Sequence, residues 1–152
     1  MGKEFQEVKL DTKRERLKEM YLKYELHEQD IFNLTMGKKK IPIITRTGIE
    51  KIMAKDNIVL NYDVVRCEPE FCAIKCVATK GDRIHSNKEI TIETFATAGK
   101  LNCKSNYYLE MAEKRSKARA VLQITEFYSL GVYGEVEADE FKREGFKNEQ
   151  TD

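Results

Sequence analysis

Two arginines, Arg115 and Arg119, lie where an ordinary surface helix has apolar residues. At about 100° per residue, a helix over 107–127 places Ala112 and Leu122 on one face, and both arginines fall in the middle of it. Burying an unpaired guanidinium group is costly. The two side chains must therefore meet anionic groups, which are either carboxylates of the protein or phosphates of a ligand.

Positive charge concentrates around this helix. Residues 99–119 hold six bases and two acids, whereas the whole chain of 152 residues has a net charge of +1. Residues 135–152 hold seven acids and three bases, which leaves the rest of the chain basic. A basic body favours an anionic partner, although a solvated helix face is the commoner reason for such a charge run.

A second basic group precedes the first in the chain. Three lysines at 38–40 occupy the predicted turn between two short strands, 31–35 and 41–45, and Arg46 follows. A single strand of nucleic acid is held by a positive groove together with aromatic faces on which bases stack. Several rings are available for stacking, although each is more readily explained as core: Tyr107, Tyr108, Phe127, Tyr128 and Tyr133.

Catalytic patterns are weak by comparison. The sequence contains no Gly-rich phosphate loop, no His-Glu-x-x-His pair and no nucleophile elbow. The triplet Glu7-Val8-Lys9 has no aspartate before it, which disfavours a metal-dependent nuclease. Four acids are interpreted as turn or solvent-face residues, and any of them could instead pair with Arg115 or Arg119. They are Asp63, Glu68, Glu70 and Glu93.

The four cysteines, at positions 67, 72, 76 and 103, match no zinc-binding pattern with the two histidines of the chain. Cys72 and Cys76 fall on one face of a predicted strand. The expected state is that of free, buried thiols in a reducing compartment, rather than a metal site or a disulfide.

Hydrophobic periodicity predicts helices over 13–26 and 107–127. Between them, Thr47 and Glu50 form a capping-box pattern that opens a short helix, which Asp56-Asn57 ends. Ser105 or Asn106 is expected to cap the long helix. Pro42 indicates that the second short strand lies at an edge or is only extended chain.

Three β-rich segments, 58–66, 71–80 and 88–96, have short connections at Glu68-Pro69-Glu70 and Gly81-Asp82. Such connections imply an antiparallel meander. The predicted fold class is therefore α+β: a curved antiparallel three-stranded β-meander with one long helix packed across it, a β-β-β-α core, plus an N-terminal helix and a small hairpin.

Residues 1–134 are predicted to form this core domain, and 135–152 an acidic, flexible tail with a weak helix at 136–146. The sequence has no apolar run of the ~18 residues needed to span a membrane. Its charged start does not resemble a signal peptide. The expected localisation is cytoplasmic, with no membrane partner.

Two segments of the chain resemble those of a known family, which narrows its possible functions. The run AEKRSKARAVL at 112–122, which follows Tyr107 and Tyr108 and precedes glycines and an acidic tail, resembles the helix signature of single-strand DNA-annealing proteins of the Rad fifty-two type. Upstream, PIITRTGIEKI at 42–52 is similar to the segment that opens the phage members of that family. With the meander, the likeness spans about 31–140.

The resemblance implies side-by-side assembly into a homo-oligomeric ring or filament, binding of single-stranded DNA in a basic groove, and annealing of complementary strands in homologous recombination and DNA repair. It implies no nucleotide hydrolysis, no metal and no cofactor. The implied DNA-binding residues are the bases of the helix, of the loop before it, and of the lysine turn and its neighbour: Lys38, Lys39, Lys40, Arg46, Lys100, Lys104, Lys114, Arg115, Lys117 and Arg119.

Partners beyond DNA are less defined. Eukaryotic members carry a long C-terminal region with sites for a strand-exchange recombinase and a strand-coating protein, and this chain departs from them there. A single-strand-binding protein or an exonuclease stays open as a partner. Two other classes also stay open: a different nucleic-acid-binding module, for double-stranded RNA or architectural DNA, and a small enzyme or structural phage protein.

Overall fold

The computed structural model describes residues 2–82, 88–139 and 141–142. Its main helices and strands, in chain order, are α1 (Gly2–Lys23), β1 (Ile31–Met36), β2 (Lys39–Ile44), α2 (Arg46–Asp56), β3 (Val59–Glu68), β4 (Phe71–Asp82), β5 (Lys88–Gly99), α3 (Tyr108–Ile124) and β6 (Tyr133–Gly134).

The predicted meander is confirmed. Strands β3, β4 and β5 form an open antiparallel sheet in that order. Period-two burial on β4 hides Cys72, Ile74 and Cys76, as expected for a sheet covered on one face. A shift in register between Val64 and Arg66 marks a bulge in β3, which increases the local twist.

Helix α3 packs across β4 and β5 on the buried face. Small side chains allow this close approach: Ala112 of the helix shares an apolar cluster with Ala98 of β5. A buried hydrogen bond of 2.9 Å, from Thr94 Oγ1 to the Ser116 carbonyl, joins the two elements at mid-length. The predicted α+β fold, with one long helix on a three-stranded meander, is therefore confirmed.

The small hairpin is part of a second sheet with strand order β1, β2, β6. The expectation for Pro42 is wrong, because β2 is the central strand of this sheet. Strand β6 pairs only with Ile43 and Ile44, however, so Pro42 lies where β2 has one neighbour and its missing N–H costs no ladder bond on the β6 side. Gly134 of β6 contacts α3, where a Cβ atom would lie 3.0 Å from the Ala118 Cβ.

Helix α2 begins two residues earlier than predicted, and the capping box is wrong. Thr45 is the N-cap, and its hydroxyl accepts a hydrogen bond from the Gly48 N–H. Thr47 instead donates to the buried Asp30 carboxylate at 2.6 Å. The predicted end is confirmed, since Asn57 is the C-cap in the left-handed region with φ of 51°.

The predicted N-terminal helix is confirmed, although α1 starts at Gly2 and ends at Lys23. Its C-terminal end docks by Tyr21 and Tyr24, whose rings pack on Phe127 at centroid distances of 6.2 and 5.6 Å. This contact joins α1 to the chain just after α3, within the main apolar cluster.

Three further boundaries differ from prediction. Gly81-Asp82 belongs to β4 rather than to a turn, and the connection to β5 at 83–87 lies outside the described residues. Tyr107 caps α3 without a side-chain hydrogen bond, although the Ser105 hydroxyl accepts from the Tyr107 N–H at 3.0 Å. Helix α3 ends at Ile124.

The C-terminal segment, 135–139 with 141–142, is helical and packs on the second sheet. Ala138 is buried with Leu34 and Ile43, so the first part of the predicted tail is continuous with the core. The rest of that tail, 143–152, lies outside the described residues. Across the part of the chain that is described, none of the helices is both long and apolar enough to cross a membrane.

Candidate nucleic-acid interface

Arg115 is buried, with 3% of its surface exposed. Its guanidinium group donates to two backbone carbonyls, from Nη1 to Thr97 at 2.8 Å and from Nη2 to Asn102 at 2.6 Å. Carbonyl dipoles accept these two hydrogen bonds, so backbone groups, which the sequence did not indicate, are among the partners of this arginine. In this position the side chain joins α3 to β5 and to the loop that follows β5.

Arg119 lies one helical turn later and is partly exposed. Its Nε donates to the buried Glu137 carboxylate at 2.9 Å, and its Nη1 donates to the Phe95 carbonyl at 2.9 Å. A carboxylate of the protein thus pairs with this arginine. This is one of the two kinds of anionic partner expected from the sequence, the other being a phosphate of a ligand. The carboxylate comes from the C-terminal segment rather than from the meander.

The four acids proposed as partners face other bases. Asp63 and Glu93 both lie near Lys75 on the open face of the sheet, with distances of 3.6 and 3.9 Å. Glu68 pairs with Arg66, and Glu70 pairs with Lys100. None of these four carboxylates contacts Arg115 or Arg119 in the salt bridges of the described residues.

The loop at 100–107, which we call the entry loop because it leads into α3, has an ordered conformation. Asn102 supplies much of that order: its Oδ1 accepts from the Gly99 N–H at 2.8 Å, and its Nδ2 donates to the Thr97 carbonyl at 3.3 Å. Cys103, a residue of this loop, is buried. With Arg115 bound to the Asn102 carbonyl, the loop is held at both its side chains and its backbone.

The entry loop presents apolar and basic side chains to solvent together. Leu101 is 100% exposed and Tyr107 is 70% exposed, which is unusual for large apolar groups in a well-packed chain. Lys100 and Lys104 are exposed beside them, and Lys114 is exposed on the first part of α3. Proteins that bind single-stranded nucleic acid combine aromatic side chains, on which bases stack, with cationic side chains that contact the phosphates.

The other predicted bases lie elsewhere. Lys38 is in the turn of the second sheet, Lys39 and Lys40 begin β2, and Arg46 begins α2, all of them exposed. Lys117 is bonded to Glu50 of α2 at 2.5 Å, which connects α3 to α2.

The two main basic groups, the entry loop and the lysine turn, therefore adjoin different sheets. The entry loop follows the meander, whereas the lysine turn belongs to the sheet of β1, β2 and β6. Strand β6 is the link between them, because it pairs with β2 and packs on α3.

The five candidate aromatic residues differ in how far their rings are exposed. Phe127 is fully buried and Tyr108 is half-buried, so both belong to the core. Tyr128 and Tyr133 pack edge-on at 5.0 Å. Tyr107 is the most exposed of the five candidates.

Sequence reasoning missed Leu101, Asn102 and Glu137. Nothing in the sequence marks Leu101 as exposed, because an isolated leucine in a loop is usually buried. Glu137 belongs to an acidic run that predicts a solvated tail, so its burial at 5% exposure had no signal of its own.

No protein-family model, curated protein or solved structure significantly matches this chain.

Proposed function

We propose that this protein binds single-stranded DNA through the entry loop and the neighbouring start of α3, and that it anneals complementary strands as a homo-oligomer without nucleotide hydrolysis. The observation that carries the proposal is the exposure of Tyr107 and Leu101 among Lys100, Lys104 and Lys114. Bases can stack on the tyrosine ring while the lysines neutralise the phosphates.

The buried arginine has an indirect role in this proposal. Arg115 is buried, and its hydrogen bonds fix the Thr97 carbonyl of β5 and the Asn102 carbonyl within the entry loop. A loop held in this way loses less conformational entropy when it binds a strand. Arg115 is therefore a positioning residue, and direct phosphate contact is assigned to the lysines.

One protomer offers few contacts, which is why assembly belongs to the proposal. The lysine turn at 38–40 and Arg46 supply a second basic surface. If protomers lie side by side, a strand can contact the entry loop of one copy and then that of the next, which raises affinity without any new kind of contact.

The test uses labelled oligonucleotides in the absence of nucleotide and metal. We expect binding to single strands to weaken as salt rises, with the logarithm of affinity falling by about 0.7 per phosphate contacted for each unit of log salt. We also expect the protein to speed pairing of complementary strands. Affinity that does not change with salt would sink the phosphate-contact model.

Point variants locate the surface. Tyr107→Ala removes the stacking face and should weaken single-strand binding about tenfold, since one base stack contributes ~1–3 kcal/mol. Lys104→Ala should weaken binding and lower the salt slope by about 0.7. Lys55→Ala, at an exposed lysine of α2 away from the entry loop, is the matched control and should change neither quantity.

The same measurements distinguish the other classes. Preference for duplex over single strand, with no faster annealing, would favour a double-stranded RNA or architectural DNA binder. Absence of binding to any nucleic acid at low salt would contradict both and leave an enzyme or a structural protein.

A further inference from the structure

The sulfur atoms of Cys67 and Cys72 lie 3.1 Å apart. The two residues are directly opposite each other on β3 and β4, beside the two-residue turn at Pro69 and Glu70. A disulfide needs a sulfur separation of about 2.05 Å. The sulfur atoms thus need to approach by only about 1 Å, and no change of strand register is required.

The hairpin explains why these thiols meet. A two-residue connection fixes the register of the strands that it joins, so the residues just beyond it are cross-strand neighbours. Directly opposite residues have Cβ atoms about 4.5–5.5 Å apart, and a disulfide needs about 3.5–4.5 Å. The contact is therefore built into the turn and does not depend on how distant parts of the chain pack.

The two thiols differ in their surroundings. Cys67 is exposed, which corrects the expectation that all four cysteines are buried. Cys72 is buried with Ile74, Ala98 and Cys103. Burial, followed by the hydrogen bond with Cys67 and the negative charge of a Cys67 thiolate, raises the pKa of Cys72 to about 11. Cys67 is consequently the thiol that meets a reagent from solvent.

We infer that Cys67 and Cys72 form a reversible oxidation site, closing to a disulfide when the protein meets a small-molecule disulfide such as oxidised glutathione. The Cys67 thiolate attacks one glutathione sulfur, forming a mixed disulfide and releasing one glutathione thiolate. The Cys72 thiol then loses its proton to solvent, and its sulfur attacks the Cys67 sulfur and releases the second glutathione. The dithiol loses two electrons and two protons, and one glutathione disulfide becomes two glutathione thiols.

The other two cysteines are less suited to this chemistry. Cys76 is fully buried in the main cluster, and burial raises its pKa to about 11. Cys103 of the entry loop is also buried. All four cysteines are free in the structure, in agreement with the sequence expectation.

A disulfide between Cys67 and Cys72 would act on an exposed part of the fold. Nearly every residue of β3 is exposed, so the hairpin end of this strand has little packing to hold it. A bond between 67 and 72 ties that end to β4. The inference concerns the hairpin alone and does not rest on nucleic-acid binding.

Peptide mapping provides the test, because tryptic sites separate the cysteines. Cleavage after Arg66 and Lys75 puts both proposed partners in one peptide, 67–75, whereas Cys76 and Cys103 fall in 76–80 and 101–104. Native protein is incubated with oxidised glutathione without nucleic acid, denatured, alkylated and digested. We expect peptide 67–75 to lose two hydrogen atoms and both alkyl groups, at a rate about tenfold or more above modification of the other two peptides. A reductant should restore both alkylation sites.

Two variants strengthen the test. Cys67→Ser changes an exposed residue and should leave Cys72 fully alkylated after the same treatment, whereas Cys103→Ser should still give the oxidised 67–75 peptide. A lasting glutathione adduct on Cys67, a dimer linked through Cys67, or a bond between Cys72 and Cys103 would each overturn the inference. Because no DNA is present, these outcomes are independent of whether the proposed function holds.

Discussion

The guanidinium groups of Arg115 and Arg119 join α3 to the edge of β5 on the side away from β4. Arg115 donates to the Thr97 carbonyl and Arg119 to the Phe95 carbonyl, so successive turns of the helix meet alternate residues of the strand. Backbone carbonyls at a sheet edge need a hydrogen-bond partner when the helix covers them. The arginines provide it, which explains how charged groups lie on an otherwise apolar helix face.

The pair of Arg119 with Glu137 gives a first prediction. The Glu137 carboxylate is buried, so Arg119→Ala leaves it without its cation and should lower the free energy of unfolding by about 3 kcal/mol. Adding Glu137→Ala should recover part of this loss. The two single variants and the double variant, unfolded in denaturant, measure a coupling of roughly 1–3 kcal/mol.

Lys114→Ala, at an exposed residue of the same helix, is the control and should cost little. Additive effects of the two substitutions, with no coupling, would contradict the assignment.

Asp30 is a second buried charge with several partners. Burial acts to raise its pKa, but hydrogen bonds from the His27 N–H, Lys51 and Thr47, together with the positive charge of Lys51, lower it to about 2. The Lys51 Nζ lies 2.6 Å from the carboxylate, and the Thr45 N–H donates to the Asp30 carbonyl at 2.8 Å. This residue therefore fixes the start of α2.

The second prediction follows from the sign of that pKa change. The folded-state pKa lies below the ordinary value of 3.8, so ionised Asp30 stabilises the fold above about pH 4, and the contribution is lost as pH falls from about 4 to about 2. Its size is about 2 kcal/mol. Asp30→Asn should lose this stability at neutral pH and show a flatter dependence between pH 4 and 2, measured by chemical unfolding at each pH.

Asp63→Asn changes an exposed carboxylate and should keep the acid dependence of the parent protein. An unchanged pH profile in Asp30→Asn would contradict the assignment.

At the scale of elements, α2 packs closely on Ile44 and Asp30 at Gly48. A Cβ atom there would lie 2.5 Å from the Ile44 Cγ2 and 3.0 Å from the Asp30 carbonyl oxygen. Gly48→Ala should therefore lower the free energy of unfolding by about 1–3 kcal/mol, although alanine favours helices. Thermal unfolding measures this third prediction.

Gly81→Ala is the matched control, because Gly81 has nothing within 4 Å of its Cβ position. It should be neutral or slightly stabilising. A more stable Gly48→Ala protein would show that α2 is not packed as described.

The strands of the meander could be predicted from sequence because their apolar residues alternate and their segments are rich in β-branched side chains. The ends of these strands were harder to predict. Gly81 favours a turn by local propensity, yet pairing with β5 carries β4 beyond it, and pairing is a non-local effect. The short strand β6 has only two residues, too few for any periodicity.

The candidate site could likewise be predicted from the sequence only in part. Spacing alone identified Arg115 and Arg119 as inward-facing. Their partners could not be predicted, because backbone carbonyls carry no sequence signal and Glu137 belongs to an acidic run. Conversely, the contact of Cys67 with Cys72 was accessible from sequence, since both flank the turn at Pro69.

At the scale of the whole molecule, the open edge of β3 is the surface best suited to assembly. Among the described strands β3 pairs with β4 alone, and it exposes Val59, Val64 and Val65 along its ten residues. An edge strand presents N–H and C=O groups that can pair with a strand of another chain. Assembly through this edge would provide the side-by-side protomers that the proposed function needs.

The fourth prediction concerns this edge. We expect a large homo-oligomer in light scattering at micromolar concentration, and Val64→Lys should weaken its association by about tenfold or more, which is ~1.4 kcal/mol. Leu22→Lys, at an exposed apolar residue of α1, is the control and should leave the mass unchanged. A monomer of the parent protein, with or without oligonucleotide, would contradict the prediction.

The arginine contacts on β5 constrain the symmetry of any such assembly. The Phe95 and Thr97 carbonyls already have partners, and Asn102 bonds the Gly99 N–H, so this stretch of β5 cannot receive a strand from a neighbour without losing those bonds. One arrangement that this leaves is β3 paired with β3 of another copy, antiparallel about a two-fold axis. Because such a contact closes at two protomers, a larger oligomer needs a second interface as well. An oligomer joined in this way contains an even number of protomers, which native mass spectrometry can count.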